Sequence, residues 1–523
     1  MHTTTATTNG DSTHVNGVNG TAKHPHTNGH HLNGDSIPKS TPTHNATANG
    51  HHHQPRARKD SSPLAPPFIV SAPGKTIVYG EHAVVHGKAA IAAAISLRSY
   101  FLVTTLSKSQ RTVSLRFTDI GLDHTWNIAD LPWKAFANPA RKKRYYDLVT
   151  SLDRELVEAM QPHIMGVGKG EESPEKVKVR QAAASAFLYL FLSLGSERSP
   201  GCEYAMRSTI PIAAGLGSSA SVSVCISAAL LIQCRALAGP HPDQQGKEAE
   251  EQLERINRWA FVAEMLIHGN PSGVDNTVST NGHAVLFQRK DYAKPPSVSV
   301  MRDFPELPLL LVDTCVQKST ATEVAKVAAL KGLHPTVVEN CLDAIDSITR
   351  SVYERITSED FESDSPEGIQ HLGELMGINH GLLTSLGVSH PRLERLRYLV
   401  DQSGVGWTKL TGAGGGGCAI TLLRPDVATS TTNGDAAELN GEPGTHNTSY
   451  STPLERLTQQ LHDEGFKKYQ TTLGGDGVGV LYPAVIGEEE IDLEMFLTAE
   501  GREGVEELVG GGRDREAWKF WRP

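Results

Sequence analysis

Cysteine is scarce. Six residues in 523 (Cys202, Cys225, Cys234, Cys315, Cys341 and Cys418) form no Cys-x-x-Cys pair and no dense framework, a pattern that points to free thiols in a reducing compartment. Long apolar runs are missing too. No segment reaches about 18 uninterrupted apolar residues, so no membrane span is expected. Positive charge is in deficit: 49 Lys and Arg against 59 Asp and Glu leave a net charge of −10, which argues against nucleic acid or an anionic membrane as the main partner. An anionic ligand would have to be held by local amides and a few placed cations. The N-terminus lacks the basic and apolar regions of a signal peptide and has no arginine before Arg56, so neither secretion nor organellar import is expected. The Asn-x-Thr triplet at Asn45 then has no bearing, and the last residues, Trp521-Arg522-Pro523, are not a peroxisomal address. A cytoplasmic location is expected.

The length allows two or three domains, and 38% hydrophobic residues suit a globular protein. Residues 1–67 are dominated by Thr, Asn, Gly and His. Such a tract cannot bury enough surface to offset its ordering entropy and is expected to be disordered, the His51-His52-His53 run included. Order should begin with a strand at Phe68-Ile69-Val70-Ser71 that stops at Ala72-Pro73-Gly74, followed by Lys75. Gly80-Glu81-His82-Ala83-Val84-Val85-His86-Gly87 comes next. His82 and His86 are four apart, but the helical zinc motif needs Glu directly after its first His, so these two are not expected to hold zinc.

The most informative stretch is Pro211-Ile212-Ala213-Ala214-Gly215-Leu216-Gly217-Ser218-Ser219-Ala220-Ser221. A β-prone segment precedes it and an apolar helix follows. Glycine admits positive φ and close backbone approach. Ser218 or Ser219 could cap the helix, whose free amides attract an anion. This is a phosphate cradle in outline. It lacks the lysine that a Walker A loop carries after its last glycine.

Further along, Gly166–Lys178 looks like a charged surface loop and Val179–Leu194 like a core helix. From Glu248 a helix repeats apolar residues at Leu253, Ile256, Ala260, Ala263 and Ile267 until His268-Gly269 ends it. Glu264 lies near its C-terminal end, where a carboxylate opposes the helix dipole unless a cation sits nearby. The loop Gly269-Asn270-Pro271-Ser272-Gly273-Val274 leads to Asp275, which by composition reads as a turn or capping residue. Ala284–Phe287 and Leu307–Val312 read as strands. Gly412-Ala413-Gly414-Gly415-Gly416-Gly417 sits between two apolar segments and is expected to be a buried turn with close backbone contact. Residues 424–452 are a low-complexity insertion, and the tail after 483 has no legible function. There is no internal repeat.

Taken together, Ala72-Pro73-Gly74-Lys75 with Gly80–Val85, the Pro211–Ser221 loop and Lys409–Cys418 resemble the superfamily of small-molecule kinases that act on galactose, homoserine, mevalonate and phosphomevalonate. Within it the chain is most similar to the mevalonate kinases, through Gly80–Gly87, Ile267–Asn276 and the four-glycine run. The resemblance covers about residues 68 to 482. It implies an α/β (α+β) fold of two lobes: a ribosomal-protein-S5-domain-2-like N-terminal lobe at 68–300 and a ferredoxin-like C-terminal lobe at 301–483, followed by a tail at 484–523. It also implies transfer of the ATP γ-phosphoryl group to the C5 hydroxyl of mevalonate, on the way to isoprenoids and sterols.

Carried over by position, Lys75, Asp119, Ser208, Ala213, Ala214, Gly215, Leu216, Gly217, Ser218 and Ser219 would contact ATP. Ser219 and Glu264 would hold Mg²⁺. Asp275 would be the catalytic carboxylate with Lys75 beside the reacting hydroxyl, and Glu81, His82, Thr320 and Ala413 would line the substrate pocket. Two positions depart from the family pattern: Asp119 stands where Asn is usual, and Lys318 where many relatives carry Arg, a side chain whose bidentate fork Lys cannot reproduce. A homodimer and inhibition by downstream isoprenoid diphosphates are further implications. Other readings are a kinase of phosphomevalonate or another small alcohol, and a non-catalytic sensor of ATP and a metabolite.

Overall fold

The longest strand organises the sheet. β2 (Ala89–Thr105) is almost wholly buried along its seventeen residues. Covered on both faces, it reads as a near-continuous apolar run rather than an alternation. In the computed structural model that carries it, the described residues are 65–523 apart from 171–172, 213, 242, 292–293, 295, 363–364, 428–451 and 511–514. The expected disorder of the N-terminal tract, Ala213 of the phosphate-loop motif and most of the low-complexity insertion therefore lie outside the described residues.

β1 (Phe68–Tyr79) runs antiparallel along β2, from Phe68 opposite Val103 to Tyr79 opposite Ile91. The strand does not stop at Ala72-Pro73-Gly74 as expected. A register shift between Pro73 and Gly74 absorbs the turn residues instead, because a bulge tolerates a residue without an N–H donor. The remaining strands are β3 (Thr112–Phe117), β4 (Leu122–Asn127), β5 (Cys202–Ser208), β6 (Ala284–Gln288), β7 (Ser297–Met301), β8 (Leu307–Asp313), β9 (Gly406–Leu410), β10 (Cys418–Leu423), β11 (Lys467–Leu473), β12 (Gly479–Leu481), the small hairpin β13–β14 (Val485–Ile486 and Glu489–Glu490) and β15 (Lys519–Phe520). The main path of the large sheet is β15-β12-β1-β2-β11-β8-β10-β9, and β2 branches to β5 through its C-terminal half and to β6 through its N-terminal half. All its pairings are antiparallel except β3 with β5.

Helices cover this sheet. Pro174–Leu194, Ser218–Gln233 and Gly246–His268 pack one large core with β1, β2 and β5. Pro335–Ile356 and Pro366–Ser385 cover β8, β10 and β11. The helix expected from Val179 starts earlier, at Pro174, because Ser173 accepts from the Lys176 amide and proline occupies the first turn. By length and hydropathy this one helix could cross a membrane, but Phe187, Leu188, Leu190 and Leu192 are all buried in the core. It is a core helix.

The tail after 483 is structured where described. Helices Leu493–Thr498 and Gly501–Leu508 bury Phe496, Val505 and Val509 against Ile69, Tyr100 and Leu102 of β1 and β2. β15 adds to the sheet edge beside β12, and the buried Trp521 donates to Gln252 Oε1 at 2.9 Å.

Candidate active site

Lys75 sits on the inner strand β1, and its backbone N–H donates to the Leu216 carbonyl at 2.8 Å. That bond fixes the Leu216–Gly217 end of the loop against the strand. Two glycines make it possible. A Cβ on Gly74 would come 2.9 Å from the Leu216 carbonyl oxygen, and Gly217, at φ +71°, turns the chain into the helix Ser218–Gln233 in a left-handed conformation. Gly217 itself is the N-cap residue, and neither Ser218 nor Ser219 caps the helix with its side chain. The expectation of a serine cap fails because the loop enters the helix through left-handed glycine geometry, so that Gly217 takes the N-cap position.

The freed hydroxyl of Ser219 points at a carboxylate. Ser219 Oγ lies 3.4 Å from Glu264 Oε2 and 3.0 Å from His268 Nε2, while Ser223 Oγ donates to Glu264 Oε1 at 3.1 Å. Glu264 is only 3% exposed. Burial first, and the charge of Asp275 second, push its carboxyl up to about 7 against the opposing pull of the two serines and Lys75.

Asp275 lies in the first turn of the helix Val274–Asn281, entered through Gly273 at φ +84°. It neither caps nor turns: its Oδ1 is 3.1 Å from Lys75 Nζ. The turn is tied to the long helix through Asn276 Nδ2, which donates to Asn257 Oδ1 at 2.6 Å, and through Asn257 Nδ2, which donates to Thr277 Oγ1 at 3.3 Å. Lys75 is 7% exposed, whereas the Asp275 side chain keeps 35%. The ion pair therefore opens to solvent on the carboxylate side.

Across from the loop, Glu81 and His82 precede a short helical turn at Ala83–His86. His82 is at φ +60°, and its Nε2 lies 2.9 Å from the Ala413 carbonyl oxygen of the glycine run. Its Nδ1 is buried with no hydrogen-bond partner, and burial holds its imidazole below the usual range. Glu81 is paired with Lys409 of β9, both side chains fully buried, and accepts from Asn379 Nδ2 at 3.0 Å. Burial is the main influence on the Lys409 ammonium and draws its pKa down, against the pull of Glu81. Lys318 donates to the Thr411 carbonyl at 3.5 Å, and a Cβ on Gly215 would sit 3.8 Å from its Nζ. It thus stands between the phosphate-loop motif and the glycine run, and burial lowers its pKa, with Lys75 adding to the effect.

The glycine run is the close-packed turn expected: a Cβ on Gly414 would lie 2.0 Å from the Val388 carbonyl oxygen, and Gly416, at φ +126°, has no room for a side chain beside Val316. Thr320 is exposed at the first position of the helix Thr320–Leu333, two residues beyond Lys318. Asp119 is committed within the protein: Oδ2 accepts from the Ser208 amide at 2.7 Å and Oδ1 from Arg207 Nε at 3.3 Å, with burial raising its carboxyl. The Ser208 hydroxyl lies 3.1 Å from that of Ser99. His82 and His86 have no third partner of metal-ligating type; among the described residues no group of three His, Cys, Asp or Glu is assembled to hold a metal.

Lys409 and His268 fall inside matched motifs without a role, and Asn379, Ser223 and Asn257 lie in no motif at all. Asn379 alone had a usable signal: with Leu372, Met376 and Leu383 it falls on the buried face of its helix, where a polar residue needs a partner.

Models of the GHMP kinase N-terminal and C-terminal domains match residues 179–283 and 367–438. The mevalonate kinase of Gibberella zeae is 63% identical over 478 residues, 89% of each chain. That of Aspergillus fumigatus is 60% identical, covering 89% of this chain and 84% of its own, and that of Homo sapiens 35%, covering 80% and 96%. Among solved structures, that of L. major mevalonate kinase in complex with R-mevalonate aligns with a TM-score of 0.52 at 21% identity, over 80% of this chain and all of the other. A further mevalonate kinase crystal structure aligns with a TM-score of 0.52 at 21% identity, over 78% and 99%. At that identity the structures speak for the fold alone. Matching domain models over two separate stretches and relatives of 63% and 60% identity covering 89% of the chain lead to one conclusion: the chain belongs to the GHMP kinases and, within them, to the mevalonate kinase family.

Proposed function

We propose that the chain transfers the γ-phosphoryl group of ATP to the C5 hydroxyl of (R)-mevalonate, giving 5-phosphomevalonate. The observation that carries this is the Lys75–Asp275 pair at 3.1 Å, beside the Leu216–Gly217 end of the glycine loop, whose carbonyl accepts from the Lys75 amide. Phosphoryl transfer asks a protein for positioning and charge neutralisation rather than covalent chemistry. Backbone amides of the loop and the start of the Ser218–Gln233 helix bind the phosphates. Asp275 accepts the proton of the C5 hydroxyl, and Lys75 stabilises the alkoxide character that develops there. Lys318 brings a further cation for the anionic ligands. The unpartnered, buried Nδ1 of His82 is the polar atom that a substrate hydroxyl or carboxylate would satisfy.

The donors beside Asp275 fit magnesium. A hydroxyl and a carboxylate 3.4 Å apart are hard oxygen ligands, and a divalent cation would offset both influences that raise the Glu264 pKa, burial first and the charge of Asp275 second. Ser219 and Glu264 would hold it, with phosphate oxygens and water completing the octahedron. Bound there, the ion would neutralise charge on the β- and γ-phosphates.

The same reading takes residues 68–300 and 301–483 as the two lobes around this cleft, and Asp119, Ser208 and Thr320 as cleft contacts. It takes the enzyme as cytoplasmic, in keeping with six free thiols. From the family likeness it adds a homodimer and inhibition by isoprenoid diphosphates at the nucleotide site, to be checked by sedimentation and by competition against ATP. The deciding experiment measures ADP release with a panel of alcohols. Turnover with (R)-mevalonate is expected; turnover only with phosphomevalonate, or binding of both ligands with no turnover, would overturn the reading.

A further inference from the structure

The Glu81–His82 turn is clasped twice by one short segment. Lys409 Nζ is bonded to Glu81 Oε1 and donates to the Leu410 carbonyl at 2.9 Å, while the Ala413 carbonyl oxygen lies 2.9 Å from His82 Nε2. Adjacent residues of the turn are thus joined to positions four apart on the strand β9 and the glycine run that follows it. Asn379 completes the clasp from the Pro366–Ser385 helix, occupying the second carboxylate oxygen at 3.0 Å. Next to it, His380 Nδ1 accepts from the Leu410 amide at 3.1 Å, fixing the same stretch of backbone.

Hydrogen bonding, not exposure, separates the two members of the turn, since both are buried. Both carboxylate oxygens of Glu81 are taken, one by Lys409 and one by Asn379, so neither is left for a bound molecule. His82 retains an imidazole nitrogen with no partner, on a backbone at φ +60° that a residue with a Cβ adopts only under constraint. A fully buried ion pair is weak support for stability, since its desolvation offsets much of its attraction. Its best-attested use is to specify one arrangement among alternatives.

We infer that Lys409 and Asn379 are positioning residues for substrate binding: through Glu81 they hold His82 in its left-handed conformation, with the free imidazole nitrogen presented to the alcohol substrate, and Glu81 itself does not touch that substrate. The inference rests on the proposed function and assigns the two residues a part in it. Losing the clasp releases the His82 backbone to ordinary φ values and withdraws the nitrogen from the pocket. The nucleotide side, built on Gly217, Ser219 and Glu264, is not joined to the clasp by any of these bonds, so the effect falls on one substrate.

The test compares steady-state kinetics of wild type, Asn379→Ala and the double variant Glu81→Gln/Lys409→Met, with thermal melting recorded for each. The double variant removes both charges together and avoids stranding either one, as Lys409→Met alone would. Expected is a rise of about tenfold in KM for mevalonate in both variants, the scale of one lost orienting contact, with KM for ATP within about threefold of wild type. A double variant that melts like wild type and yet keeps the raised mevalonate KM supports positioning over structural support. Unchanged mevalonate KM in both variants, or equal rises in both KM values, overturns the inference while wild-type turnover stands. No turnover of mevalonate by the wild type overturns the proposed function, and this inference with it. Should the double variant fail to fold, Asn379→Ala alone decides by the same two KM values.

Discussion

Lys75 Nζ and Asp275 Oδ1 are 3.1 Å apart, although the two residues are far apart in sequence and come from an inner strand and the first turn of a short helix. The lysine is buried beside the end of the loop, whereas the carboxylate is open on one side. A hydroxyl arriving from that side meets Asp275 first and has the ammonium behind it. Asp275→Asn keeps the shape and removes the proton acceptor, so kcat should fall by roughly 10²-fold or more. Steady-state ADP release with mevalonate measures it, and full activity in the variant would remove Asp275 from the chemistry.

Gly217 is the second point where geometry can be tested directly. An added Cβ would sit 2.9 Å from Lys75 Cγ on a backbone at φ +71°. Gly217→Ala should cost about 1–2 kcal/mol in stability from the left-handed backbone alone, and should raise KM for ATP by displacing both the loop and Lys75. Gly239 provides the control: it has φ +85° but nothing within 4 Å of the added atom. Gly239→Ala should lose comparable stability and leave KM for ATP unchanged. Equal ATP defects in the two variants would mean that backbone strain, not the loop's approach to Lys75, is responsible.

The metal side is separable from the base. Ser219→Ala and Glu264→Gln should each raise the magnesium concentration needed for half-maximal rate by about tenfold, the lower end of the scale for disturbing a metal site. Ser223→Ala, which removes only a hydrogen bond to Glu264 Oε1, should shift it less. Titration with magnesium at fixed ATP checks all three, and an unchanged magnesium dependence in Glu264→Gln would rule out the carboxylate as a ligand.

How much of this was legible beforehand follows from what each feature depends on. The helix Gly246–His268 and the strand Leu307–Asp313 were readable because their apolar periods are intact and their ends carry turn residues. The course of β1 through Pro73-Gly74 was not, because a register shift is set by the partner strand and leaves no mark in the residues themselves. The same holds for Ser219: sequence placed it at a helix start, and only the left-handed Gly217 sends its hydroxyl to Glu264 rather than back to a helix amide. Motif resemblance gathered Lys75, Ser219, Glu264 and Asp275. It could not find Asn379, nearly 300 residues from Glu81 in sequence, nor the burial of the C-terminal Phe496 and Trp521 on the first sheet strands and the Gln252 helix. Those depend on long-range packing.

Burial and the neighbouring Asp275 charge raise the Glu264 carboxyl from 4.5 to about 7 in the folded protein. The folded state therefore holds the proton more tightly than the unfolded chain does. Stability from this group is fully present below the unfolded value, near 4.5, and is lost as pH rises through about 7. At ~1.36 kcal/mol per pH unit the loss is on the order of 3 kcal/mol for the free enzyme. Melting temperature measured without magnesium or nucleotide should accordingly fall between about pH 5 and pH 8 more steeply in wild type than in Glu264→Gln, where this proton is absent. Adding magnesium with ADP should flatten the wild-type slope, because a bound cation takes over from the proton in offsetting the two carboxylates. Parallel pH profiles for wild type and variant would mean that Glu264 is already ionised in the free enzyme, and that Ser219, Ser223 and Lys75 suffice to hold it so.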